Sequence, residues 1–227
     1  MAAGLELAGL SSPEAQAALG AMLKALQSAL RRALSAGPAA VEDPALWAEV
    51  EAAYAAYDAW IAVVAAANPV TCRAGCTACC HDNPHGVAGI ELARLRRALA
   101  GREAELQPRV ERAVAAYRAL VAERGEMAAE AATRALRQPC PLLGAHGLCT
   151  AYNARPMACR MFYALTPPEM CDPGHPAFDQ RVNPNLVPPL VIRQLLGALS
   201  RVLELPGGTL WEGLTSPGAP APRDPAG

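Results

Sequence analysis

Apolar residues recur at helical spacing through most of this chain. Leu19, Met22, Leu23, Leu26, Leu30 and Leu34 form a first run, which Gly37-Pro38 stops. Ser12-Pro13-Glu14 supplies its start: a capping hydroxyl, a proline in the first turn and an acid at the positive end of the helix dipole. Asp43-Pro44 opens a second run, with Trp47, Val50, Tyr54, Tyr57, Ile61 and Val64 as its apolar stripe and Asn68-Pro69 at its end. Two such helices joined by a short link predict an antiparallel hairpin over residues 1–69.

The helical period returns from Val87 to about Arg137. Ile90, Leu92, Leu95 and Leu99 mark one helix, broken at Gly101. Leu106, Val110, Val114, Tyr117, Leu120 and Val121 mark the next, with a kink expected at Gly125 before residues 127–136. Arginines 94, 96, 97, 102, 109, 112, 118 and 124 interleave here with glutamates 91, 103, 105, 111 and 123, a pattern that reads as a solvated helix face. From Cys140 to about Pro184 periodicity fades, and proline and glycine become frequent. A last helix is expected over Leu186 to Leu205, with Leu190, Val191, Leu195, Leu199 and Val202 on one face; residues 216–227 read as disordered.

The fold expectation is therefore mostly α with little or no β. A helical hairpin (1–69) precedes a loop-rich cysteine-cluster metal domain (70–184) that carries a helical insertion at about 87–137. A C-terminal helix lies in 185–215.

Composition narrows the function. An apolar fraction of 52% is ample for a core, and a net charge of −1 with 4% aromatics argues against a nucleic-acid partner. No uncharged apolar stretch is long enough to cross a membrane, so no membrane partner is expected. Met1-Ala-Ala-Gly-Leu-Glu-Leu lacks the positive start of a secretory signal, which places the expectation in the cytoplasm, where thiols stay reduced.

Against that background the eight cysteines stand out. Cys72, Cys76, Cys79 and Cys80 fall within nine residues. Cys140 and Cys149 frame a second segment, Cys159 sits in Arg155-Pro-Met-Ala-Cys-Arg160, and Cys171 follows Glu169-Met170. Disulfides need an oxidising compartment, and the neighbours Cys79 and Cys80 could pair only in a strained ring. Inert buried thiols explain isolated cysteines but not four in nine residues. Metal ligation explains the density: a tight loop turns successive sulfurs onto one centre, and Gly75 removes a side chain where the backbone bends. Zinc takes four ligands in a closed tetrahedron, and an iron–sulfur cluster also takes four thiolates. Eight cysteines make two such sites or one with spares, and their order along the chain does not divide them.

Arg155 and Arg160 are candidates to lie beside the anionic sulfurs and tune them; an ordinary surface ion pair is the alternative for Arg160. Tyr152 and His81 are weaker neighbours of the same kind. His85, His146 and His175, with Asp82 and Glu169, lie close enough in sequence to be ligand candidates.

The ordered string Cys72-x3-Cys76-x2-Cys79-Cys80, Cys140-Pro, Cys149-x2-Tyr152-x2-Arg155-Pro156-x2-Cys159-Arg160 resembles the YkgJ-type cysteine-cluster family, a zinc- or iron-chelating domain with the signature CxxCxxCC. The resemblance spans roughly residues 70 to 175, and the Cys171 segment looks like the last cysteine position of the family. It implies one metal domain, here split by a 59-residue helical insertion between Cys80 and Cys140. One branch of the family is linked to N-methylation of lysines on flagellin.

Three functions follow as expectations. The first is a metal-binding protein whose thiolates hold an iron–sulfur cluster, of the four-iron, four-sulfur type, or zinc, with an electron-transfer role and a redox partner. The second is an S-adenosylmethionine-dependent methyltransferase acting on a protein substrate, since Cys72-x3-Cys76-x2-Cys79 has the spacing of a three-cysteine radical-enzyme loop. Ala78, in place of the usual aromatic, and the lack of strand signal weigh against a radical-enzyme barrel. The third is a zinc-stapled interaction module.

Overall fold

The computed structural model describes residues 7–81, 86–126, 128, 129, 132, 138–165, 167–171, 175, 176 and 189–215. The run from 127 to 136 lies largely outside this set, as do the tail 216–227 and the candidates Asp82 and His85; so does the side chain of Glu169. The described residues form six α-helices joined by 3-10 turns and loops, with isolated β-bridges and no strand.

Helix α1 (Pro13–Ala36) begins where Ser12 accepts a hydrogen bond from the Ala15 N–H at 3.1 Å. It ends at Gly37, whose φ of +64° only glycine adopts without strain. Helix α2 (Pro44–Ala66) is capped by Asp43, which accepts from the Ala45 N–H at 2.9 Å. The two pack as the expected hairpin. All six residues of the α2 stripe are buried. Of the α1 stripe, Met22 and Leu26 are buried and Leu19, Leu23 and Leu30 pack half-buried against the core, while Leu34 is 65% exposed; Ala15, Ala29 and Ala33 complete the buried face.

Helices α3 (Gly89–Ala98) and α4 (Glu103–Arg124) follow, broken at Gly101 and stopped at Gly125, where φ is positive at both. Helix α3 is shared between two cores. Ile90 joins the first core, with α1, α2 and α6 (Leu190–Val202). Leu92, Leu95 and Leu99 join the second, with α4, the loops around Cys140 and Ala151, and Trp211. Each fully buried leucine along this seam contributes about 1.5–3 kcal/mol of transfer free energy.

Two sequence expectations are corrected here. In α6, Ile192, Leu196 and Leu199 face the core, while Leu190 and Val191 are exposed. The chain then leaves the helix at Val202 and runs back along α3 and α4. A bridge joins Val87 to Gly208, and Trp211 stacks obliquely on Tyr117 at 5.5 Å. The second correction concerns the charged face of α3. Arg94 and Glu91 are buried, not solvated. Arg94 pairs with Glu51 and lies 3.8 Å above the Tyr54 ring. Farther along, the charged pattern does face solvent, as in the Arg102–Glu105 pair.

Candidate metal centre

The two halves of the cysteine string are tied together by backbone contacts that bypass the inserted helices. The Cys140 N–H donates to the Cys80 carbonyl at 2.8 Å. The Thr71 N–H donates to the Ala164 carbonyl at 2.9 Å, and the Ala164 N–H in turn donates to Cys72 Sγ at 3.2 Å. Gly75 and Gly147, both at positive φ, let their loops touch: a Cβ on Gly147 would stand 2.9 Å from the Gly75 carbonyl oxygen.

Residues 140–150 close on themselves as a tight hairpin. Thr150 N–H donates to the Leu142 carbonyl at 2.9 Å, Gly144 N–H to the Leu148 carbonyl at 2.8 Å, and Leu143 bridges Cys149. Cys159 rides on the single-turn helix α5 (Met157–Arg160). That turn is too short to stand alone, since helix nucleation is unfavourable. Glu91 holds it. One carboxylate oxygen accepts from the Met157 N–H at 2.8 Å and from the Tyr54 hydroxyl at 2.7 Å, while the other accepts from the Ala88 N–H at 3.1 Å. One buried acid thus caps both α3 and the turn that carries Cys159. Nothing in the sequence spacing singled out Glu91; its three-residue offset from Ala88, a capping position, was the available signal.

Five thiols, those of Cys79, Cys80, Cys140, Cys149 and Cys159, line one cavity of about 40 Å³. Apolar Leu142, Phe162 and Leu210 and the Arg155 guanidinium complete its walls. Cys72, Cys76 and Cys171 lie outside it. Cys72 is exposed, Cys76 is half-buried, and the turn bearing Cys171 packs on the turn Ala78–His81. All eight are free thiols, and among the described residues no three His, Cys, Asp or Glu side chains stand close enough to hold a single ion.

Burial pushes the Cys140 thiol up to about 12, partly offset by the Leu142 N–H that donates to its sulfur at 3.4 Å. Burial also raises Cys159 well above the usual range, reinforced by the neighbouring Cys140 and Cys79. Cys79 is raised first by its hydrogen bond with Cys80 and then by burial. A thiol with a higher pKa in the fold than in the unfolded chain favours the fold only while neutral. Its contribution is complete below the ordinary thiol pKa of about 8.5 and is lost as pH climbs through the folded value. The metal-free chain is therefore expected to lose urea-unfolding midpoint steadily from about pH 8.5 upward. A midpoint that stays constant over that rise would contradict the buried-thiol geometry.

Arg155 sits at the cavity wall. Its guanidinium lies 3.7 Å from the Tyr152 ring centre, and its Nε donates to the Tyr152 carbonyl at 3.1 Å. No acid pairs with it among the described residues, and its charge favours the thiolate forms of Cys79 and Cys159. Tyr152 is 60% exposed, so its part is to hold that guanidinium rather than to pack in a core. Arg160 is neither beside the sulfurs nor on the surface. It is 4% exposed, pairs with Asp58, and donates to the Asn153 and Arg155 carbonyls. Arg94 donates to the same Asn153 carbonyl. His81 Nδ1 lies 2.9 Å from the Thr77 carbonyl within its own turn, and neither it nor His146 nor His175 lines the cavity.

The chemistry of this donor set fits a soft metal: clustered sulfurs, an apolar surround, N–H groups aimed at sulfur and one uncompensated guanidinium. No helix of the described residues is long and apolar enough to cross a membrane. No curated protein and no solved structure matches the chain. Residues 71–176 match the model of a family described as "CxxCxxCC: Putative zinc- or iron-chelating domain". The match covers a little under half of the chain and takes in all eight cysteines, so this region resembles the CxxCxxCC family.

Proposed function

We propose that this chain is a cytoplasmic metalloprotein in which the cavity thiols Cys79, Cys80, Cys140, Cys149 and Cys159 hold an iron–sulfur cluster. The observation that carries the reading is the convergence of five thiols on one cavity. Among the described residues no three such side chains stand close enough to hold one ion. Zinc draws its thiolates to about 2.3 Å from one point, so a zinc site would need these sulfurs to close in further. A bound cluster supplies reversible one-electron chemistry. The chain's own groups then have defined parts. The hairpin 140–150 and helix α5 orient the sulfurs, Leu142, Phe162 and Leu210 exclude water, and Arg155 offsets the negative charge of the thiolates.

Iron, zinc and acid-labile sulfide per chain, with a visible spectrum, test this on protein purified without air. Iron with matching sulfide, and absorption that bleaches on reduction, is the expected result. Colourless protein carrying zinc without sulfide would replace the cluster with a zinc staple. Protein with neither metal would overturn the metal-binding reading altogether.

A further inference from the structure

Seven of the eight thiols fall into two groups, those that line the cavity and those on the exposed loop before it. The inner five line the cavity and are fixed by the Cys80–Cys140 backbone bond, the 140–150 hairpin and the Glu91-capped turn. Cys72 and Cys76 lie outside, on a loop where Arg73, Ala74 and Gly75 are all exposed. That loop is nonetheless shaped for a sulfur. The Ala164 N–H is aimed at Cys72 Sγ, and a turn closed by the Cys76 N–H to the Arg73 carbonyl at 3.1 Å brings the second thiol back toward the first. Cys79 connects the groups. It lies within electrostatic reach of Cys72 on one side and of Cys140 and Cys159 on the other.

We propose that Cys72 and Cys76 form an outer capture pair, which takes a thiophilic divalent ion from solution or a donor and passes it through Cys79 to the cavity. The proposal rests on the metal-binding reading above and adds a route for the metal ion alone, with the sulfide of a cluster supplied separately. In the first step each outer thiol gives its proton to solvent as its sulfur bonds the ion. In the second, Cys79 bonds the ion as one outer bond breaks, and the Cys79 proton goes to the released thiolate. The oxidation state of the ion does not change. Two thiols on one short loop present a high effective concentration to the ion, which a single deep thiol behind an apolar wall does not.

The test uses metal-free full-length chain, zinc(II) as the probe, and a chromogenic chelator as the zinc donor. The double variant Cys72→Ser/Cys76→Ser is expected to reach the wild-type zinc content but to load about tenfold or more slowly. Loading at the wild-type rate overturns the capture role. So does a reduced final content, which would make the outer thiols permanent ligands. A wild type that binds no zinc overturns this proposal, and metal analysis of the protein purified without air then decides the metal-binding reading separately. A second readout does not depend on the variant. Brief alkylation of zinc-loaded wild type is expected to label Cys72 and Cys76 first without releasing zinc. Zinc release in step with that labelling overturns the assignment.

Discussion

Replacing Cys159 or Cys140 by serine is expected to lower metal affinity about a hundredfold and to leave the purified chain nearly metal-free. Binding free energy at a thiolate site is of the order of 10–16 kcal/mol, so removing one of four ligands costs several kcal/mol. Cys140 is buried, burial also raises the Cys159 thiol, and Cys159 is the only cysteine on helix α5. Because metal binding is also folding energy, the same variants should melt earlier than the metal-loaded parent. The comparison that matters is between depths. Serine at Cys140 or Cys159 should lower the metal content sharply, whereas serine at Cys72 should leave the final content intact. Equal metal content in all of these variants, measured by elemental analysis after anaerobic purification, would show that the cavity is not the site.

The second large effect is expected at a residue that carries no sulfur. Glu91→Ala removes the acceptor for two buried donors, the Tyr54 hydroxyl and the Met157 N–H, and for the half-buried Ala88 N–H. Each unsatisfied buried donor costs about 1–3 kcal/mol, so a loss of about 3–5 kcal/mol is expected in urea unfolding. Glu91→Gln keeps one amide oxygen as acceptor and should lose clearly less. The variant should also weaken metal binding, since the turn that carries Cys159 loses its cap. A Glu91→Ala protein with unchanged unfolding midpoint and unchanged metal content would remove Glu91 from the supporting structure.

Glu91 also shows where a linear reading of the chain stops. On periodicity alone it belongs with Glu103, Glu105 and Glu111, one acid among many on an arginine-rich helix. Its burial follows from α2 and α5 both meeting α3 at that turn, and no local pattern encodes a three-way junction. Arg94 and Arg160 share the difficulty. Arg94 reads in sequence as a surface charge and Arg160 as a neighbour of the sulfurs or a surface ion pair, and both become buried clamps on the Asn153 carbonyl. The α1 stripe holds except at its last leucine: Leu34 stands in water, and the small residues Ala15, Ala29 and Ala33 fill out the buried face. In α6 the apolar residues lie on more than one face, so the buried face could not be chosen until its neighbours were known.

What the sequence determined by itself is local or chemical. Ser12, Asp43, Gly37 and Gly101 set helix ends through their own caps and backbone preferences, and the α2 and α4 stripes specify helices because their period is short-range. The cysteine string, with Arg155-Pro156 inside it, marks the metal domain, since no other use of eight reduced thiols explains their density. Only the tertiary structure decided how those thiols divide. Cys79 and Cys80 reach Cys140, Cys149 and Cys159 across 59 intervening residues because backbone hydrogen bonds and two touching glycine loops join the halves. Distance along the chain carries no information about such closure. Cys72 and Cys76, close to Cys79 in sequence, are left outside for the same reason: the cavity is enclosed by the packing of Leu142, Phe162 and Leu210, residues far from them along the chain.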